Sequence, residues 1–264
     1  MARVGAGRRK LAALFAVAVI GGLTGCAGND SGAEEDGGPS ASAPVSDARR
    51  MSESLTLLKG YRSLGLKGEF RGDSLKTFDL HADRHGNCAG TYVEIGTTTD
   101  VVVIGDRGWL RYGDKMLENT RSFAKTYVPD KLAVVEEAVE KARGKYVEYP
   151  AREMLRYPGL ILCDPGRAFA KVPGTVSSAE KKGNPRTKSG ERTVQLTHGS
   201  GGDEVSVHVP EKGGSVPRGI DFSLGDAPVL LELGDYDEPV RVKPPSRADI
   251  VSAEAVKGLD AIFE

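Results

Sequence analysis

The absences in this chain narrow what it can be. Aromatic residues are only 6% of it, with a single tryptophan, so no aromatic-rich docking surface is written into the sequence. An excess of one charge is missing too. Against 37 Asp and Glu stand 36 Lys and Arg, which leaves no basic surface for nucleic acid. After residue 26 no stretch approaches the ~18 continuous apolar residues of a membrane-spanning helix. No repeat of fixed period is present, and the glycine-rich stretches match neither a P-loop nor a dinucleotide fingerprint. There is no G-x-S-x-G; Ser74 and Ser200 lack the strand–turn–helix setting that exposes a nucleophile, and His198-Gly199-Ser200-Gly201-Gly202 reads as a hairpin loop. His81 and His85 are four apart, which aligns two metal ligands only on a helix, and here the spacing falls across a strand end and a turn. His208 alternates with Val207 and Val209 and is expected to face away from the core, whereas His198 shares the parity of Val194 and Leu196 and is expected to point inward. Glu136 and Glu137 belong to a solvated helix side. No catalytic residue, metal ligand or cofactor site is therefore expected.

The first 26 residues are the most specific part of what is present. Arg8, Arg9 and Lys10 form a basic start, Leu11 to Ile20 is an apolar run too short to span a bilayer, and Leu23-Thr24-Gly25-Cys26 follows. This segment resembles the lipobox of bacterial lipoproteins; an ordinary secretory signal with a coincidental cysteine is the alternative. The resemblance implies a signal peptide over 1–25 and cleavage before Cys26. It implies further that Cys26 carries a diacylglycerol and an amide-linked chain such as palmitate. The localisation that follows is the cell membrane, lipid-anchored on its extracytoplasmic face.

Removal of residues 1–25 takes away four basic residues and leaves 32 basic against 37 acidic ones, a net charge of −5. Export also changes the cysteine arithmetic. With Cys26 lipidated, Cys88 and Cys163 remain, and an even pair in an oxidising compartment reads as a disulfide, two buried free thiols being the alternative. Residues 26–46 are Gly, Ser, Ala, Pro and acid, too poor in apolar side chains to offset the entropy of ordering. They read as a flexible tether. At roughly 5–6 Å × √n, about 20 residues hold the body a typical ~25 Å from the bilayer.

Residues 47–264 are long enough for one sizeable core. Met51, Leu55 and Leu58 mark a helix that ends at Gly60. The period then drops to two. Phe78, Leu80 and Ala82 alternate with polar residues, as do Thr91, Val93 and Ile95 with Tyr92 and Glu94; Val101 to Ile104 and Trp109 to Tyr112 flank a Gly-Asp-Arg-Gly turn. A second helix is expected from an Asp130 N-cap to a Gly144 stop, with an apolar face of Leu132, Val135, Val139 and Ala142 and a Glu137–Lys141 pair. The expected remainder is a strand over Lys145–Tyr149, helical structure around Met154–Ala170, four strands between Thr193 and Leu233, an extended Val240–Pro245 and a terminal helix over Asp249–Phe263. By itself this order defines an α+β antiparallel domain.

That order resembles the LppX/LprG-type lipoproteins of actinobacteria and, more distantly, the carrier LolA. Asp83 to Thr91, around Cys88, and Leu162-Cys163-Asp164 resemble the paired cysteine segments of actinobacterial lipoproteins with this layout. Lys145 to Pro150 stands where they often carry a Gly-Lys-Trp-Val-like strand, with tyrosine replacing tryptophan. The resemblance implies a curved antiparallel sheet, a half-barrel, covered by helices, with an apolar hollow for lipid chains. The face of Leu132, Val135, Val139 and Ala142 is the expected cavity lining, packed against the Val101–Ile104 and Val229–Leu233 strands. The partners implied are the membrane, through the lipid anchor, and a lipid ligand, with the domain acting as a monomer. Two functions follow: a non-enzymatic carrier of a lipid or lipoconjugate, or an interaction or sensing lipoprotein with a closed core.

Overall fold

The computed structural model describes residues 45–72, 74–157 and 159–260. The signal segment, Cys26 and nearly all of the tether lie outside the described residues. The first helix, α1 (Asp47–Gly60), opens with Ser46 accepting a hydrogen bond from the Arg49 N–H, and carries Asp47 in its first turn and Lys59 in its last, both favourable to the helix dipole. Met51, Leu55 and Leu58 are fully buried, as their spacing requires.

Five strands follow: β1 (Ser63–Arg71), β2 (Leu75–Asp83), β3 (Asn87–Glu94), β4 (Thr97–Ile104) and β5 (Arg107–Tyr112). Helices α2 (Asp114–Tyr127) and α3 (Leu132–Ala142) interrupt them before β6 (Tyr146–Pro150). After α4 (Ala151–Met154) and α5 (Pro165–Ala168), strands resume as β7 (Glu180–Lys188), β8 (Glu191–His198), β9 (Val205–Pro210), β10 (Gly219–Leu224) and β11 (Ala227–Gly234), and β12 (Ile250–Ser252) comes last. All twelve form one curved sheet in the order β12-β6-β5-β4-β3-β2-β1-β11-β10-β9-β8-β7. Two antiparallel meanders join where β1 pairs with β11, Leu66 opposite Leu233. Only the β12–β6 contact is parallel. The end strands β12 and β7 do not meet, so the sheet is an open half-barrel.

Alternation decides which side chains enter the concavity: Leu64 and Leu66 of β1, Leu80 and Ala82 of β2, Val101 and Val103 of β4, Val207 and Val209 of β9, and Leu231 and Leu233 of β11 are all buried in the main core. At one end α1 fills the hollow. Its Arg50 donates to the Pro210 carbonyl (2.7 Å) and Ser54 to the Ser215 carbonyl (2.5 Å). A strap, residues 151–172, crosses the middle and is tied to β3 by a Cys88–Cys163 disulfide, with both cysteines buried.

Several expectations change. The α3 face does not lie on β4 and β11: Val135, Val139 and Ala142 are fully buried in a separate cluster with Leu117 and Ala124 of α2, Val147 of β6, and Val256, with Leu132 packed at its edge. Asp130 belongs to a 3-10 turn, Pro129–Lys131, and does not cap α3. Over the described part of Asp249–Phe263 there is a β12 strand between 3-10 turns instead of a regular helix, and Gly258 packs so close to the Val134 carbonyl of α3 that a Cβ there would clash. On β3 the inward face carries Cys88 and Tyr92, while Ile95 is an exposed turn residue. His208 does point away from Val207, yet it is buried, its Nε2 2.9 Å from Asp221 Oδ2. The β7–β8 turn folds onto that side of the sheet, with Ser189 Oγ donating to the Leu233 carbonyl (3.0 Å).

Candidate functional site

The residues singled out as chemically capable stand apart from one another. Ser200 precedes the loop turn Gly201–Asp203, His198 Nδ1 lies 2.8 Å from the Ser178 carbonyl, and Ser74 donates to Glu94. Ser206, two residues from His208, is engaged by Thr197 (2.8 Å) and Gln195 (3.0 Å). His85 is exposed, and among the described residues no group of His, Cys, Asp and Glu is placed to hold a metal ion. The Glu137–Lys141 pair is formed at 2.6 Å on the solvated side of α3.

A partly enclosed cleft of about 340 Å³ lies between the inner face of β2–β5, helix α2, the strap and the C-terminal segment. It exists because alternation breaks chemically there. Thr97 and Thr99 take the inward positions that Val101 and Val103 take further along β4, and Tyr92 and Tyr112 do so on β3 and β5. Threonine hydroxyls and tyrosine phenols interrupt the aliphatic layer that closes the core further along these strands. Leu110, Leu117, Leu160 and Leu259 make the apolar walls.

The strap holds its wall closely because of one glycine. Gly159 sits at φ +91°, and a Cβ there would come within 2.9 Å of the Tyr92 ring. Only glycine combines that backbone with that approach.

One end of the cleft is polar. Lys76 Nζ lies 3.2 Å from Glu94 Oε1, to which Ser74 also donates (2.8 Å), and the Tyr92 hydroxyl donates to Glu94 Oε2 at 3.4 Å. The Lys76 side chain is only 14% exposed and passes over the Phe70 ring. Burial, and then the Glu94 charge, push the Tyr92 hydroxyl well above the ordinary tyrosine range. The Tyr112 and Tyr149 hydroxyls lie 2.8 Å apart. Burial raises both, Tyr149 to about 12. They are neutral hydrogen-bonding groups at physiological pH. An apolar slot ending in a lysine, a carboxylate and phenols can take a hydrocarbon tail and a polar head.

None of Leu132, Val135, Val139 and Ala142 lines this cleft. The polar residues that do were missed in the sequence, although inward-parity threonines beside Val101 and Val103 were a signal that the core is incomplete there.

Sheet, strap and cleft define an open α+β half-barrel with a small inner hollow. Its likeness to known structures is in keeping with that. LprF from Mycobacterium bovis matches with a TM-score of 0.50 at 13% identity, over 76% of this chain and 97% of that one. The lipoprotein LppX from Mycobacterium tuberculosis matches with a TM-score of 0.46 at 13% identity, over 75% and 98%. The chain thus resembles the LppX/LprG family in fold. No family model and no curated protein matches the sequence. No described helix is long and apolar enough to cross a membrane.

Proposed function

We propose that this protein is a non-enzymatic lipoprotein of the cell envelope, held at the membrane through lipid on Cys26, that binds one acyl chain of a lipid or lipoconjugate in the cleft between β2–β5, α2 and the strap. The observation that carries this reading is the cleft itself: leucine walls leading to the Lys76–Glu94–Tyr92 end. Its size sets the stoichiometry. At ~30 Å³ for a water-sized group, a volume of about 340 Å³ takes on the order of ten methylenes, one chain and not two. Each buried methylene contributes about 0.8 kcal/mol, enough in sum to offset a substantial cost of association. The polar end then receives the head group.

The interaction or sensing reading has one observation in its favour, the complete filling of the hollow by α1 at the other end. The test is uptake of a fluorescent fatty acid by the wild-type chain and by Thr99→Phe, which fills the cleft from its β4 side. Saturable uptake that falls at least tenfold in Thr99→Phe is expected. No uptake by the wild type would transfer the assignment to interaction or sensing.

A further inference from the structure

The strap has a second depression on its other side. Between it and the β10–β11 turn runs a groove of about 630 Å³. Phe70, Leu155, Ala168 and Leu224 give it an apolar floor, and Arg156, Arg167 and Lys171 stand around it with no acidic side chain in the lining. All three cations are exposed, and none forms an ion pair with a described residue. Other cations of the domain do meet carboxylates: Arg143 reaches Asp114, Glu118 and Glu140, and Arg107, Arg111, Arg192 and Arg218 each face one.

Unneutralised cations around an apolar floor complement a surface that is anionic on top and hydrocarbon beneath. Tyr157 links this groove to the cleft. It lines both, is 53% exposed, and joins an apolar ring to a polar hydroxyl, the composition suited to a bilayer interface.

We propose that the groove is where the domain docks on an anionic phospholipid surface, with Arg156, Arg167 and Lys171 on the lipid phosphates and Tyr157 at the boundary between bilayer and cleft. This rests on reading the cleft as an acyl site.

The test is hydrogen exchange on the full-length, membrane-tethered protein reconstituted in phosphatidylcholine vesicles with and without 30% phosphatidylglycerol. Each cation at an anionic surface contributes about fivefold to partitioning, so the Arg156→Gln/Arg167→Gln/Lys171→Gln variant should dock on the order of a hundredfold more weakly. Slower exchange over residues 155–171 and 224–226 is expected only with phosphatidylglycerol, and it should vanish in 0.5 M salt and in the triple variant. Equal protection on neutral vesicles, or none on anionic ones, would overturn the proposal. Protection in native membranes but not in pure lipid would assign the groove to a protein partner instead. Fatty-acid uptake from solution separates the two readings: docking without uptake sinks the acyl site alone, and uptake without docking sinks this proposal alone.

Discussion

The two ends of the half-barrel solve the same problem differently. At the β8–β11 end, α1 places Met51, Leu55 and Leu58 into the concavity against aliphatic strand residues, and the hollow is closed. At the β2–β5 end the inward strand positions are threonine and tyrosine. There, α2 presents Met116, Leu117 and Thr120, and a cleft is left. The more apolar of the two helices at that end, α3, contributes nothing to the cleft and packs against α2 and the C-terminal segment. A curved sheet therefore does not by itself make a ligand site. The hollow survives only where the facing side chains are too small or too polar to fill it.

Breaking the strap's tether should have the largest effect on this contrast. The Cys88–Cys163 bond closes a loop across a sequence separation of 75, worth about 4 kcal/mol in the chain-entropy estimate. Cys88→Ala/Cys163→Ala should lower stability by that order, read from denaturant midpoints, and should loosen the cleft wall with it. Thiol titration of the denatured, unreduced protein should find neither cysteine free. At the filled end, Leu55→Ala should cost about 3 kcal/mol in the same assay and leave acyl uptake unchanged, because α1 is remote from the cleft.

The tyrosines sharpen the comparison through pH. Tyr149, raised to about 12 in the fold, ionises near 10 when unfolded. A raised folded value means its contribution is complete below pH 10 and is lost as pH rises through about 12, a loss of about 2–3 kcal/mol. Alkaline unfolding monitored by far-UV circular dichroism should therefore steepen over that window, and Tyr149→Phe should flatten it. A profile unchanged by the substitution would separate Tyr149 from the effect.

Smaller effects come from filling space on each side of α2. Val135→Trp overpacks a closed cluster and should cost ~1–3 kcal/mol while acyl uptake persists. Thr99→Phe points into empty volume and should cost less than about 1 kcal/mol while uptake falls.

Much of this architecture was legible because alternation and helical spacing survive wherever burial is one-sided. The α1 triad and the strands from Phe78 to Tyr112 follow from local pattern, and the Cys88–Cys163 pairing from the even cysteine count that export leaves. Three elements were hidden for physical reasons. Helix α2 buries only Leu117, Thr120 and Ala124 while Phe123 and Tyr127 stack on its exposed side, so its apolar signal is inverted. Strand β7, a sheet edge of Lys, Gly, Asn and Pro, has no buried residue to reveal it. In β1 the alternation of Leu64, Leu66 and Phe70 was present, but Gly65 and Gly68 interrupt it. The direction of the α3 stripe was beyond reach, since amphipathicity states that a face is buried and not what buries it. The same limit hid the cleft, which depends on what is missing opposite Thr97 and Thr99.

The central claim is that one acyl chain occupies the cleft at the β2–β5 end. Native mass spectrometry of the purified wild type, Val135→Trp and Thr99→Phe proteins tests it most directly. The expected result is a single lipid adduct at about one per molecule in the wild type and Val135→Trp, and its loss in Thr99→Phe. An adduct retained equally in Thr99→Phe, or absent from the wild type, would contradict it.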